Sequence, residues 1–305
     1  MAVPDFQSLM LPLLKFSADG VEHTMQEARD GLAQIMELSE EDLQERLPSG
    51  RQTTFANRVA WAKVYLTQAG ALESPKRGRF HISDRGRKII LEGPEKIDIK
   101  YLERFKEFQE FRQASNRSRT GKSIQPDDDQ ISPATPEESL EQAYQQLRDE
   151  VANELINLIK GNTPEFFEKL VVHLIVSMGY GGSVKEAGKA TRKTADEGID
   201  GVIKEDRLGL DVIYLQAKRW EAVVGRPEIQ KFVGALHGQR AKKGVFITTS
   251  YFSKEALDYV GQIDPKVVLI DGSDLVQLMI DHGVGVSSAV VYEVKKVDTD
   301  YFIEG

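Results

Sequence analysis

From Gly198 to His282 the chain alternates short apolar runs of strand length with amphipathic stretches of helical length. The runs are DVIYLQAK (211–218), KGVFITT (243–249) and VVLIDG (267–272). Between and after them lie a helix from Pro227 to about Gln239, SKEALDYVGQI and SDLVQLMIDHG. Strands that alternate with helices require an α/β domain with a mixed sheet covered by helices. Within DVIYLQAK, Gln216 and Lys218 stand two residues apart, so they share one face while Leu215 and Ala217 take the other. Asp200 sits just upstream, between two short apolar runs. An acid, a carboxamide and an ammonium gathered at strand ends form a set that can hold a metal ion and a phosphate.

The helix before this sheet is NTPEFFEKLVVHLIVSMGYGG. Asn162 or Thr163 caps it and Pro164 stands in its first turn. Phe167, Leu170, Val171, Leu174 and Met178 form its buried stripe, and Glu168 lies beside that stripe, within reach of the sheet. A further helix, roughly Ser139 to Ile159, precedes it.

The N-terminal third has a different pattern. FQSLMLPLLKF has helical spacing, with an early kink or break expected at Pro12. TMQEARDGLAQIMEL carries a capping-box pattern at Thr24 and Glu27, and SEEDLQERL starts a third helix at Ser39. TTFANRVAWAKVYLTQAGAL is the longest amphipathic helix of this region, with Phe55, Val59, Ala62, Leu66 and Ala69 inward and Gly70 as its stop. A hairpin with a basic tip follows, then a helix after Ser83. Helices, a basic last helix and a two-stranded ribbon in this order predict a winged helix, with the long helix in the major groove and the wing on the backbone. Arg51, Arg58, Lys63, Arg77 and Arg79 are the candidate DNA contacts.

Net charge is −8, an unpromising sum for a partner of DNA, but its distribution matters more. Residues 1–50 hold 3 Lys/Arg against 10 Asp/Glu, while residues 51–90 hold 9 against 2. Tyr214–Lys243 is a second basic island, 7 against 2. Solvated basic faces would give the same charges, so charge alone does not decide.

At 305 residues there is room for two domains. The expected division is a winged-helix domain over 1–112, a polar linker over 113–138 and an α/β domain over 139–305. The linker, with ASNRSRTGKSIQPDDDQISPATPEES at its heart, has few core-forming residues and three prolines, Pro126, Pro133 and Pro136, that break helices. The chain has no cysteine, which excludes disulfides, thiolate catalysis and cysteine-held zinc or iron–sulfur sites. No run approaches a membrane span, and MAVPDFQSLMLPLLKF lacks a basic signal-peptide start, so the expected location is cytoplasmic. The five histidines show no metal-ligand spacing. Thr248, Thr249 and Ser250 end a strand, where they either touch a DNA backbone or shape a turn.

GYGG (179–182), GIDGVI (198–203), YLQAKRW (214–220), VGRPEIQKF (224–232), GVFITTSYF (244–252) and LIDGSDLVQLMI (269–280) occur in this order. In that order they resemble the Mrr family of restriction endonucleases, a branch of the PD-(D/E)xK nuclease superfamily. Family members carry a winged helix ahead of the nuclease domain, so the resemblance covers nearly the whole chain. It implies a restriction-endonuclease-like α/β fold. It makes Asp200 the acidic metal ligand, Gln216 the residue at the second motif position and Lys218 the motif lysine. Glu168 matches an acid that completes the metal shell directly or through water. The backbone carbonyl of Ala217 joins Asp200 and Gln216 as a metal ligand, and the implied cofactor is magnesium, with manganese as a substitute. One departure is the run before Asp200. The family favours glycine there, whereas this chain has Arg192-Lys193-Thr194-Ala195-Asp196-Glu197, in which Arg192 and Lys193 are candidate phosphate contacts.

The function implied is that of a type IV, modification-dependent DNA endonuclease that hydrolyses phosphodiesters of methylated double-stranded DNA. Cutting both strands calls for a homodimer or higher oligomer. Two alternatives remain: a DNA-binding protein whose nuclease site is weakened or inactive, and a repair nuclease that reads DNA structure.

Overall fold

The computed structural model of the chain describes residues 2–76, 78–117, 134–181, 199–205, 211–295 and 297. The chain forms two compact units, one over Met1–Gln145 and one over Gln146–Lys295.

In the first unit, α1 (Met10–Phe16) is followed by β1 (His23–Thr24), α2 (Met25–Ile35), α3 (Glu40–Gln44) and α4 (Thr54–Gln68). Then come β2 (Leu72–Glu73), β3 (Arg79–Ile82), α5 (Asp84–Glu92), α6 (Ile99–Leu102) and α7 (Lys106–Arg117). The expected caps form: Thr24 with Glu27, and Ser39 with Asp42, each satisfy two amides that a helix start leaves unpaired. Pro12 makes no break. It lies in the first turn of α1, where its missing N–H has no intrahelical acceptor to serve. The strands form one small antiparallel sheet in the order β1-β3-β2. Leu13, Leu14, Leu32, Phe55, Val59, Leu66, Phe80 and Phe108 fill the core beneath it.

The region expected as a linker is partly helical. α7 continues to Arg117, and α8 (Pro136–Gly161) begins before residue 138. Pro136, expected to break a helix, is the first residue of α8, where an N–H would have no intrahelical acceptor. Residues 118–133 lie outside the described residues.

The second unit contains the rest of α8, α9 (Pro164–Ser177), β4 (Gly201–Lys204), β5 (Val212–Lys218), α10 (Arg226–Gly238), β6 (Lys243–Thr248), α11 (Lys254–Val260), β7 (Lys266–Ile270) and α12 (Gly272–Asp281). The sheet runs β4-β5-β6-β7, with β4 antiparallel to β5 and the other pairs parallel, so it is mixed as expected. Two cores sandwich it. Ile213, Leu215 and Ala217 meet Leu155, Phe167, Val171 and Leu275 on one side. On the other, Phe246 meets Phe232 and Phe252, with Tyr214 and Trp220 packed against them.

Two glycines of the sequence blocks explain themselves by close approach. A Cβ on Gly244 would come within 2.8 Å of Leu236 and Phe232, so α10 could not lie flat on β6. One on Gly272 would stand 2.7 Å from the Thr249 carbonyl oxygen, where α12 starts against the end of β6. No helix among the described residues is long and apolar enough to cross a membrane.

Candidate active site

β5 organises the site. Because Leu215 and Ala217 enter one core, alternation sends Gln216 and Lys218 to the opposite face. Gln216 is 5% exposed, a carboxamide held inside the sheet's end. Gly201 pairs with Leu215, which sets Asp200 opposite Gln216. The Asp200 amide still donates to the Leu215 carbonyl at 2.8 Å. One step further the ladder changes character: the Ala217 amide donates to Asp200 Oδ2 at 2.7 Å, a side chain in place of a backbone carbonyl. A strand residue turns its N–H and C=O to the same edge, so the Ala217 carbonyl faces the Asp200 edge too. Asp200 Oδ1 has no donor among the described residues.

Glu168 reaches the same place from α9. Thr163 caps this helix by accepting from the Phe166 amide, and Pro164 fixes its first turn. Phe167, Val171 and Leu174 are buried, which rolls Glu168 to the margin of the packed face. Its carboxyl is pushed above the ordinary glutamate range, first by burial, then by the charges of Asp200 and Glu165, with Lys218 opposing. Asp200 and Lys218 are therefore both close enough to act on Glu168. The Lys218 Nζ lies 6.0 Å from the centroid of the Trp220 ring.

The end of β5 is fastened by hydroxyls that the sequence left ambiguous. Thr248 Oγ1 donates to the Lys218 carbonyl at 2.9 Å. Thr249 Oγ1 donates to the Trp220 carbonyl at 2.8 Å, and Ser250 Oγ to the Glu221 carbonyl at 3.1 Å. All three residues are buried. A Thr-Thr-Ser run at the end of a parallel strand next to the lysine strand was the available signal, since hydroxyls there can bond only to the neighbouring strand's carbonyls or to a ligand.

The donors that these elements offer at the strand end are two carboxylates, a carboxamide oxygen and a peptide oxygen. All are hard oxygen ligands, the set a divalent cation such as magnesium accepts. The repulsion that raises the Glu168 carboxyl is also what a cation between Glu168 and Asp200 would relieve. Among the described residues no group of three or more His, Cys, Asp or Glu is placed to hold a metal ion, so this candidate set counts two carboxylates.

The expected DNA contacts fare differently. Arg51 and Arg79 are exposed. Arg58 is not displayed as the sequence suggests. Its Nε donates to Glu138 at 2.7 Å and its Nη1 to the carbonyls of Val3 and Pro4 at 2.5 and 3.2 Å. Lys63 is half-buried over the Phe80 ring at 5.9 Å, and burial holds its ammonium below the usual lysine range. The cause is the wrapping of α4: none of its residues before Gln68 is exposed. Arg77, Arg192 and Lys193 lie outside the described residues.

A mixed sheet that brings an acid, an amide and a lysine to one strand end, with a second acid from the preceding helix, has the layout of a restriction-endonuclease catalytic domain. Residues 159–279 match the family model Mrr_cat, described as restriction endonuclease, and residues 6–92 match that of the Mrr N-terminal domain. The chain is 36% identical over 309 residues to the type IV methyl-directed restriction enzyme EcoKMrr of Escherichia coli strain K12, covering 99% of this chain and 100% of that one. The chain thus belongs to the Mrr family of restriction endonucleases, and it is a nuclease, a hydrolase acting on DNA. Two solved structures are more distant. The modification-dependent endonuclease AspBHI is 23% identical over 44% of this chain, TM-score 0.36. The endonuclease MspJI, in complex with a 27-mer oligonucleotide, is 20% identical over 52%, TM-score 0.27. The chain spans only 36% and 35% of their lengths, and likenesses this slight carry no argument.

Proposed function

We propose that the protein is a type IV, methyl-directed endonuclease that hydrolyses phosphodiester bonds of methylated double-stranded DNA with magnesium. The observation that carries this reading is the meeting of Asp200, Lys218 and Glu168 at the end of β5. The end-to-end identity with a relative named as methyl-directed supports the substrate.

Asp200, the Gln216 side-chain oxygen and the Ala217 carbonyl would hold the cation, with Glu168 completing its shell directly or through water. A bound magnesium ion supplies Lewis acidity at the scissile phosphate and its attacking water. The Lys218 ammonium orients that water and meets the charge that builds on the phosphate in the transition state. Gln216 brings one negative charge fewer than a carboxylate would, which leaves Asp200 and Glu168 as the anionic ligands.

The first unit we read as a winged helix over 1–112 that binds duplex DNA through the exposed Arg51 and Arg79 and through Arg77. Residues 113–138 join it to a nuclease domain over 139–305, in which Arg192 and Lys193 are further phosphate contacts. Each site cuts one strand, so a homodimer or larger homo-oligomer in the cytoplasm fits duplex cleavage.

The test is cleavage of a methylated and an unmethylated copy of one plasmid, with magnesium and with chelator, by wild type and Asp200→Asn. Magnesium-dependent cutting of the methylated copy alone, lost in the variant, is expected. Equal cutting of both copies would overturn the methyl-directed assignment. Cutting that survives in Asp200→Asn would overturn the site.

A further inference from the structure

α4 precedes the β2–β3 hairpin, the place of the groove-reading helix in a winged helix. Its outer residues are already taken. Thr135 Oγ1 donates to Asn57 Oδ1 at 2.6 Å, Arg58 Nε donates to Glu138 Oε1 at 2.7 Å, and the Trp61 indole N–H donates to Glu137. These are inside contacts: Thr135 is 0% exposed and Glu138 6%.

Thr135 and Glu138 also build the start of α8. Glu138 Oε2 accepts from the Thr135 amide at 2.8 Å, and the Glu138 amide donates back to Thr135 Oγ1 at 3.2 Å. This is a reciprocal cap. One carboxylate thus serves as helix cap through one oxygen and as the anion of Arg58 through the other. A carboxylate oxygen at 2.7 Å from a guanidinium nitrogen offers what a DNA phosphate offers it. Glu137 does the same for an indole N–H.

We propose that the Thr135–Glu138 turn is a built-in competitor of DNA for α4. In the resting protein it fills the phosphate position of Arg58. Full engagement of duplex by α4 requires the turn to leave, and until then the first unit meets DNA only through its exposed cations. This rests on reading that unit as a DNA binder. Only the released fraction of molecules is competent in α4, so apparent affinity is reduced by that fraction. The turn opens α8, a helix of 26 residues, so its release also frays a helix start.

The experiment compares duplex affinity of the full chain, by fluorescence anisotropy at fixed salt, for wild type, Glu137→Gln with Glu138→Gln, and Glu40→Gln with Glu41→Gln. The last pair removes the same charge from exposed positions on α3. The first pair should bind about tenfold tighter than both other proteins, the factor expected from weakening a charge-assisted hydrogen bond. Thermal melts of all three check folding. Hydrogen exchange of the wild type supplies a second readout, in which the amides of Thr135 and of residues 138–141 should lose protection when duplex saturates the protein. Equal affinity for the two double variants, or unchanged protection of those amides in the complex, would overturn the competition while leaving the DNA-binding reading intact. Absence of binding by all three at low salt would remove that reading and the competition with it.

Discussion

Thr248→Val is the substitution that best separates fastening from packing at the catalytic strand. Valine keeps the shape of threonine, so no cavity forms at this fully buried position. Two hydrogen bonds go: the donation to the Lys218 carbonyl at 2.9 Å, and the acceptance from the Ser250 amide at 3.2 Å. Each contributes about 1 kcal/mol net, and a buried amide left without an acceptor adds about 1–3 kcal/mol. The expected loss is about 3–5 kcal/mol, or a melting point lower by roughly 6–20 °C for a unit of this size. The Lys218 carbonyl keeps the Trp220 amide of its own strand end at 3.0 Å, but across to the β6 side only the Thr249 amide, at a long 3.3 Å. Its ammonium should therefore sample positions off the phosphate, and misplacement by about an ångström costs on the order of a hundredfold in rate. Single-turnover cleavage of a methylated duplex should fall about ten- to a hundredfold, with DNA affinity unchanged. Thr248→Ser keeps the hydroxyl and should recover most of the rate. Cleavage by Thr248→Val at the wild-type rate, with the melting point lowered, would show that the hydroxyl holds the fold and not the lysine.

Lys218→Ala should abolish cleavage and leave duplex affinity within about twofold, because a lost ammonium at the phosphate costs transition-state charge stabilisation above all; parallel cleavage and anisotropy measurements check it. Gly272→Ala should lower stability by about 1–3 kcal/mol in urea titrations, since its Cβ meets a backbone carbonyl at 2.7 Å that cannot swing aside. Glu107 is bonded to Arg85 at 2.7 Å, which holds its carboxyl down at about 2 against an ordinary 4.5. A depressed carboxylate stabilises the fold above its unfolded value, and that support is lost as pH falls through the folded value. Glu107→Gln should therefore have the lower urea midpoint at pH 7, and the gap to wild type should narrow from pH 4.5 towards 2; a gap independent of pH would refute the pairing.

Much of this was readable before any coordinates because it is local or periodic. Apolar alternation in DVIYLQAK put Gln216 and Lys218 on one face, and Thr24 and Ser39 announced their caps by spacing alone. The resemblance assigned Asp200, from one of the family blocks, and Glu168, from the helix before them, to one site. The misreadings have a common cause in partners no local window contains. Arg58 is an exposed cation by helical periodicity, yet its acceptor is Glu138, 80 residues later. Pro136 is the exception: Thr135 beside it caps the helix that it begins, a signal that lies within the local sequence. The hydroxyls of Thr248, Thr249 and Ser250 could face DNA or a neighbouring strand, and only the parallel pairing of β5 with β6 decides it.

The bond from the Ala217 amide to Asp200 has a bearing on descent as well as on chemistry. An aspartate that terminates a sheet is held in place by folding, whatever happens to catalysis. A lineage that ceased to cut DNA would still lose stability on replacing Asp200 by alanine, because the Ala217 amide would be stranded at the sheet's end. Persistence of this acid among relatives would thus be weak testimony of activity. Lys218, whose ammonium makes no hydrogen bond to the described protein, has no such tie to the fold, so its persistence would be the more telling of the two.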